Sequence, residues 1–78
     1  MAVLRLFAAA RDAAGTGRDT IEGSTVGEVI AAACSRYGDD FVRLLPTCRV
    51  WLNGDQADDD MAVDADDEVA VLPPVSGG

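Results

Sequence analysis

The sequence predicts an α+β roll, a mixed sheet packed on one main helix, and three observations carry that expectation. Residues 26–37 place apolar side chains at helical spacing behind a capping residue. Short stretches of alternating polarity stand near both ends of the chain. The dipeptide Asn53-Gly54 follows a strand-like segment directly, and both residues tolerate the positive φ that a tight hairpin needs. A chain of 78 residues holds one domain, and the implied order is β-β-α-β-β-β.

Taken in order, residues 2–7 read as a strand with Leu4 and Leu6 on one face and Val3, Arg5 and Phe7 on the other. The alanine-rich residues 8–14 predict a helical turn that ends at Gly15, and Gly15-Thr16-Gly17 predicts a turn into a second strand at 19–21, antiparallel to the first. In the main helix, Thr25 is the N-cap and Glu28 stands at the capping-box spacing. Val26, Val29, Ile30, Ala33 and Tyr37 form its apolar stripe, and Gly38 is expected to end it in a left-handed conformation. Residues 39–45 offer Phe41, Leu44 and Leu45 to the core in irregular or briefly helical form, and Pro46 is expected to stop them. Residues 49–52 make a strand, 58–68 an acidic connector, and 68–72 the last strand. In that strand Val69 and Val71 face one way and Ala70 and Leu72 the other.

The formal net charge is -8, from 14 acidic and 6 basic residues. Such a surface repels phosphate backbones, so nucleic acid is not an expected partner, and a basic groove on a protein partner is the expected complement. No apolar run approaches the roughly 20 residues that cross a bilayer, so no membrane is expected either. Met1 opens straight into a strand-like segment with no charged-then-apolar signal pattern, so the cytoplasm is the expected compartment. Histidine and lysine are both missing. That removes a Walker-A loop, a Schiff base, and Ser-His or Cys-His dyads. Cys34 and Cys48 form no CxxC pair and are expected to be free thiols with no metal between them. The acidic residues 58–60 and 64–68 never place a glycine at the position an EF-hand loop requires, so they predict a solvated loop.

With side-chain chemistry so depleted, the chain end becomes the candidate site. Leu72-Pro73-Pro74-Val75-Ser76-Gly77-Gly78 follows the last strand without a break. The two prolines fix φ and hold the backbone extended, and the tail can project about 20 Å at roughly 3.3 Å per residue. Gly77 and Gly78 carry no Cβ and can enter a narrow cleft. The chain therefore divides into a body, 1–72, and an extended tail, 73–78. A terminal carboxylate becomes an acyl donor only after activation, for instance as a mixed anhydride with AMP, after which sulfur, an enzyme thiol or a lysine amine can take the acyl group.

That tail is similar to the tail of the small subunit of molybdopterin synthase, in the MoaD and ThiS superfamily of ubiquitin-like sulfur carriers. Leu6-Phe7-Ala8 with Arg11-Asp12 and Gly15, and the run Asp66-Asp67-Glu68-Val69-Ala70-Val71, resemble the same family. The resemblance implies a ubiquitin-like β-grasp body over 1–72. It implies that Gly78 is adenylated and then thiocarboxylated, with Gly77 its slim neighbour. It further implies two partners, an E1-like adenylating and sulfurating enzyme that uses ATP and a large synthase subunit that accepts the tail. The chain would bind no cofactor itself and would be non-catalytic alone. Within the large subunit the thiocarboxylate would give sulfur to cyclic pyranopterin monophosphate. Family partners dock on an apolar sheet patch. Phe7 and Leu72 match that patch, and alternation adds Trp51; Pro73, Pro74 and Val75 would follow the tail into the partner. Gln56 stands where the family is often apolar.

Three other functions remain open from the residues. The chain could carry sulfur for thiamine, cysteine or tRNA thiolation. It could be a protein modifier forming isopeptide bonds, although without lysine it builds no side-chain-linked chains of itself. It could be a plain interaction domain with an inert tail.

Overall fold

The computed structural model describes residues 2–74. Strands β1 (Ala2–Leu6), β2 (Arg18–Ile21), β3 (Arg49–Leu52), β4 (Asp55–Gln56) and β5 (Glu68–Leu72) form one sheet in the order β2-β1-β5-β3-β4. Three helices, α1 (Ala8–Ala14), α2 (Val26–Tyr37) and α3 (Asp39–Leu44), lead to a 3-10 turn at Leu45–Thr47. β1 runs parallel to β5 and antiparallel to β2, and β3 runs antiparallel to both β5 and β4. The sheet is mixed, as expected, and its central strand is the one that leads into the tail.

Alternation decides which face is buried. Ala2, Leu4 and Leu6 of β1 and Val69 and Val71 of β5 are buried, together with Val26, Val29 and Ala33 of α2 and Phe41 of α3. Each large side chain in that set contributes on the order of 1.5–3 kcal/mol by leaving water. Phe41 is packed edge-to-face on Tyr37, with ring centroids 5.2 Å apart.

Helix α2 begins as its sequence dictates. The Thr25 hydroxyl accepts from the Glu28 backbone N–H at 3.2 Å. The return half of the capping box lands one residue earlier than expected, because Glu28 Oε1 accepts from both the backbone N–H and the hydroxyl of Ser24, each at 3.0 Å. The first helical donors go to the connector: Val26 N–H to the Met61 carbonyl at 2.9 Å and Gly27 N–H to the Asp59 carbonyl at 2.8 Å. A Cβ on Gly27 would stand 3.1 Å from that Asp59 oxygen, so a larger residue would press the connector back by a few tenths of an ångström.

Four expectations need adjusting. Gly38 has a positive φ of 94° but an extended ψ of -164°, because it must end α2 and start α3 at once. Pro46 does not stop the segment outright; α3 ends at Leu44 and Pro46 sits inside the 3-10 turn, where its missing N–H costs nothing. The first strand ends at Leu6, and Phe7 is the residue before α1. The connector is more than solvated loop, since Val63 is buried and its N–H donates to the Ser24 carbonyl at 3.0 Å.

Candidate functional site

The outward face of the sheet is built by the other half of each alternation. Trp51 of β3 lies in register with Ala70 of β5, and Arg49 with Leu72. On the other side of β5, Arg5 of β1 is in register with Ala70. Phe7 continues β1 by donating its N–H to the Val71 carbonyl at 3.3 Å. Ala8 then takes φ +50°, a left-handed turn of the backbone immediately after Phe7.

Because Ala70 is small, the side chains around it enclose a groove of about 250 Å³ lined by Phe7, Trp51, Gly54, Glu68, Ala70 and Leu72. Phe7 is exposed, and Trp51 and Leu72 are half-buried. The three aromatic and aliphatic residues singled out by alternation therefore share one groove. Small-molecule sites run to roughly 300–1,000 Å³ and enclose most of their ligand. This groove is smaller and open, with the size of one large side chain from another protein. The Arg5 guanidinium lies 5.6 Å from the Phe7 ring centroid and 3.6 Å from a Glu68 carboxylate oxygen, and so spans one wall.

The groove's lower end is held by the hairpin. Asn53 and Gly54 have φ of +50° and +88°, the conformation their sequence allows. The Asn53 side chain accepts from Glu68 N–H at 2.8 Å and donates to Asp67 at 2.9 Å. Asp67 also accepts from the Asp64 backbone N–H at 2.8 Å. These bonds hold the Asp67 carboxyl below its ordinary pKa, the Asp64 amide first and Asn53 second. Sequence reasoning grouped Asp67 with a solvated acidic run; its place three residues after Asp64 was the available signal, whereas Asn53 lies 14 residues away.

Leu72 ends β5 and lines the groove; Pro73 is half-buried and Pro74 exposed as the chain leaves the sheet. Val75, Gly77 and Gly78, also named from sequence, lie outside the described residues. Cys34 and Cys48 are free and half-buried, and burial pushes both thiols up, away from the reactive thiolate. Among the described residues, no helix is long and apolar enough to cross a membrane.

A five-stranded mixed sheet packed on a capped helix, with β5 at its centre, defines the ubiquitin-like β-grasp class. The chain belongs to the ThiS family, whose model matches residues 4–78. Among solved structures, small archaeal modifier protein 1 from Haloferax volcanii is 34% identical, with a TM-score of 0.75 and 97% of each chain covered. A putative molybdopterin converting factor subunit 1 from Pyrococcus furiosus is 25% identical, with a TM-score of 0.83, covering 95% of this chain and 97% of that one. A chain of the BexX/CysO complex from Amycolatopsis orientalis shares the fold at 22% identity, with a TM-score of 0.83 and both chains covered in full.

Proposed function

We propose that this protein carries sulfur on Gly78 for molybdenum cofactor biosynthesis, as the small subunit of a molybdopterin synthase in the cytoplasm. Residues 1–72 act as the body and 73–78 as the tail. The Gly78 carboxylate attacks the α-phosphate of ATP on an E1-like enzyme, releasing pyrophosphate. A sulfur nucleophile then displaces AMP and leaves a thiocarboxylate. In the large subunit that sulfur attacks cyclic pyranopterin monophosphate, and hydrolysis of the resulting acyl–sulfur bond returns the carboxylate. Gly77 keeps the approach narrow, and this chain holds no cofactor of its own. By resemblance alone, the Pro73-Pro74-Val75 segment before the final Ser-Gly-Gly favours the molybdenum branch.

The observation that carries the carrier reading is that docking face and tail share one strand. Leu72 is at once a wall of the groove and the last residue of the central strand β5. A partner seated on Phe7, Trp51 and Leu72 therefore receives Pro73, Pro74 and Val75 in a fixed direction. Affinity for the adenylating enzyme tests this: Phe7→Asp and Leu72→Asp should each weaken it at least tenfold, and unchanged binding by both defeats the docking face.

A second reading, attachment to protein lysines as a modifier, draws on the 34% identity to the Haloferax modifier. Both use the same activated carboxylate and differ in whether sulfur or an amine takes it.

A further inference from the structure

The net charge of the chain and the charge of its docking face have opposite signs. The outward strand positions of β1, β2 and β3 carry Arg5, Arg18 and Arg49. Arg5 and Arg18 are in register with each other, and Arg49 with Leu72. Asp19 and Asp55 do not share this face, because they stand in register with Leu4 and Leu52, whose side chains turn to the helix side. Glu68 is the one acidic residue at an outward strand position among the described residues, and Arg5 already pairs with it at 3.6 Å. Half of the six arginines of an otherwise strongly acidic chain therefore stand on the sheet face that carries the apolar groove.

Arg18 and Arg49 are exposed and make no salt bridge among the described residues. Arg49 sits beside the root of the tail, across from Leu72. Arginine is suited to this position because its planar fork takes a carboxylate with two parallel hydrogen bonds and is weakly hydrated.

We infer that the surface this face docks on is acidic: a partner protein that inserts one apolar side chain between Phe7, Trp51 and Leu72 and meets Arg49 and Arg18 with carboxylates. The inference rests on the docking face proposed above. It reverses the expectation from net charge, which called for a basic groove. The chain is a dipolar body, with a cationic sheet face and acidic residues elsewhere, including the exposed Asp58, Asp59 and Asp60. An acidic partner attracts the sheet face and repels the rest, so the encounter is oriented before contact. Because exposed charges are screened beyond about 8 Å at physiological ionic strength, the effect acts mainly on the association rate and fades with salt.

The test uses the full chain and the E1-like adenylating enzyme encoded in the same genome, with association rates measured at low and high salt. Arg49→Glu combined with Arg18→Glu should slow association about tenfold or more at low salt, converging on the wild-type rate at high salt. Replacing Asp58, Asp59 and Asp60 together by Asn should leave the rate unchanged or raise it. If the arginine variant binds as fast as wild type or faster while Phe7→Ser loses affinity, the docking face stands and the acidic partner surface is refuted. If Phe7→Ser also binds normally, the docking face falls and this inference with it. Unfolding curves of the variants, expected to overlay the wild type because both arginines are exposed, separate loss of binding from loss of fold.

Discussion

Trp51 stands directly across from Ala70 in the β3–β5 ladder, and the difference in size between the two opens the groove on the sheet's outer face. A larger residue at position 70 would fill that space from its floor. Ala70→Leu adds apolar surface at a half-buried site without touching the core, so the midpoint of thermal unfolding should change by only a few degrees. Affinity for the adenylating enzyme should fall at least tenfold, about 1.4 kcal/mol. A variant that folds and still binds as wild type does would show that no partner side chain enters the groove.

Asn53 fastens the hairpin to the start of β5 through its two side-chain hydrogen bonds. Asn53→Ala removes both and places a Cβ-bearing residue without a local hydrogen bond at φ +50°. The cost should be roughly 2 kcal/mol, since a net hydrogen bond contributes about 1. Asn53→Gly keeps the turn and should cost visibly less. Denaturant unfolding of the pair gives the comparison: equal losses would mean that the φ +50° backbone adds nothing to the two hydrogen bonds, and a glycine variant as stable as wild type would mean that those bonds contribute nothing.

At the opposite edge, Asp19 accepts from the Tyr37 hydroxyl at 2.8 Å and from Arg36 at 3.0 Å, and Arg36 also donates to the Thr20 carbonyl at 3.1 Å. The Tyr37 bond, then Arg36, hold the Asp19 carboxyl below its ordinary value. A depressed folded-state pKa stabilises the fold above the unfolded value of about 4, and that contribution disappears as pH falls through the folded value. Stability should therefore decline below about pH 4, and less steeply in Tyr37→Phe, when urea midpoints are measured between acid and neutral pH. Identical slopes in the two proteins would remove Tyr37 from the account.

The alkaline side has the reverse sign. Burial, and then the neighbouring Asp19 carboxylate, push the Tyr37 phenol well above its ordinary value. A raised pKa contributes stability below the unfolded value of about 10 and loses it as pH rises further. Tyr37 is the chain's one tyrosine, so phenolate absorbance reports it alone. The signal should appear together with the loss of tertiary structure, rather than near pH 10 in a protein still folded.

Much of this was legible in the sequence because local rules and tertiary context agreed. Thr25 and the Val26-to-Tyr37 stripe marked α2, Asn53-Gly54 marked the β3–β4 hairpin, and alternation put Phe7, Trp51 and Leu72 on the outer face. Some of what was missed depends on contacts distant in sequence. Val63 is core because the connector crosses the start of α2, where Val26 and Gly27 need acceptors for their N–H groups. The Glu28 side chain turned to Ser24 rather than Thr25. Net charge sums over all faces, whereas the placement of Arg5, Arg18 and Arg49 on one sheet face follows only from strand register. The diglycine remains a reading of sequence, lying outside the described residues.

The most direct test is the intact mass of the full chain after incubation with ATP, a sulfur donor and its adenylating enzyme. The carrier account predicts replacement of one oxygen by sulfur, mapped by fragmentation to Gly78, and no such change in a chain lacking Gly77 and Gly78. An unaltered mass, or sulfur found on Cys34 or Cys48 instead, would contradict it.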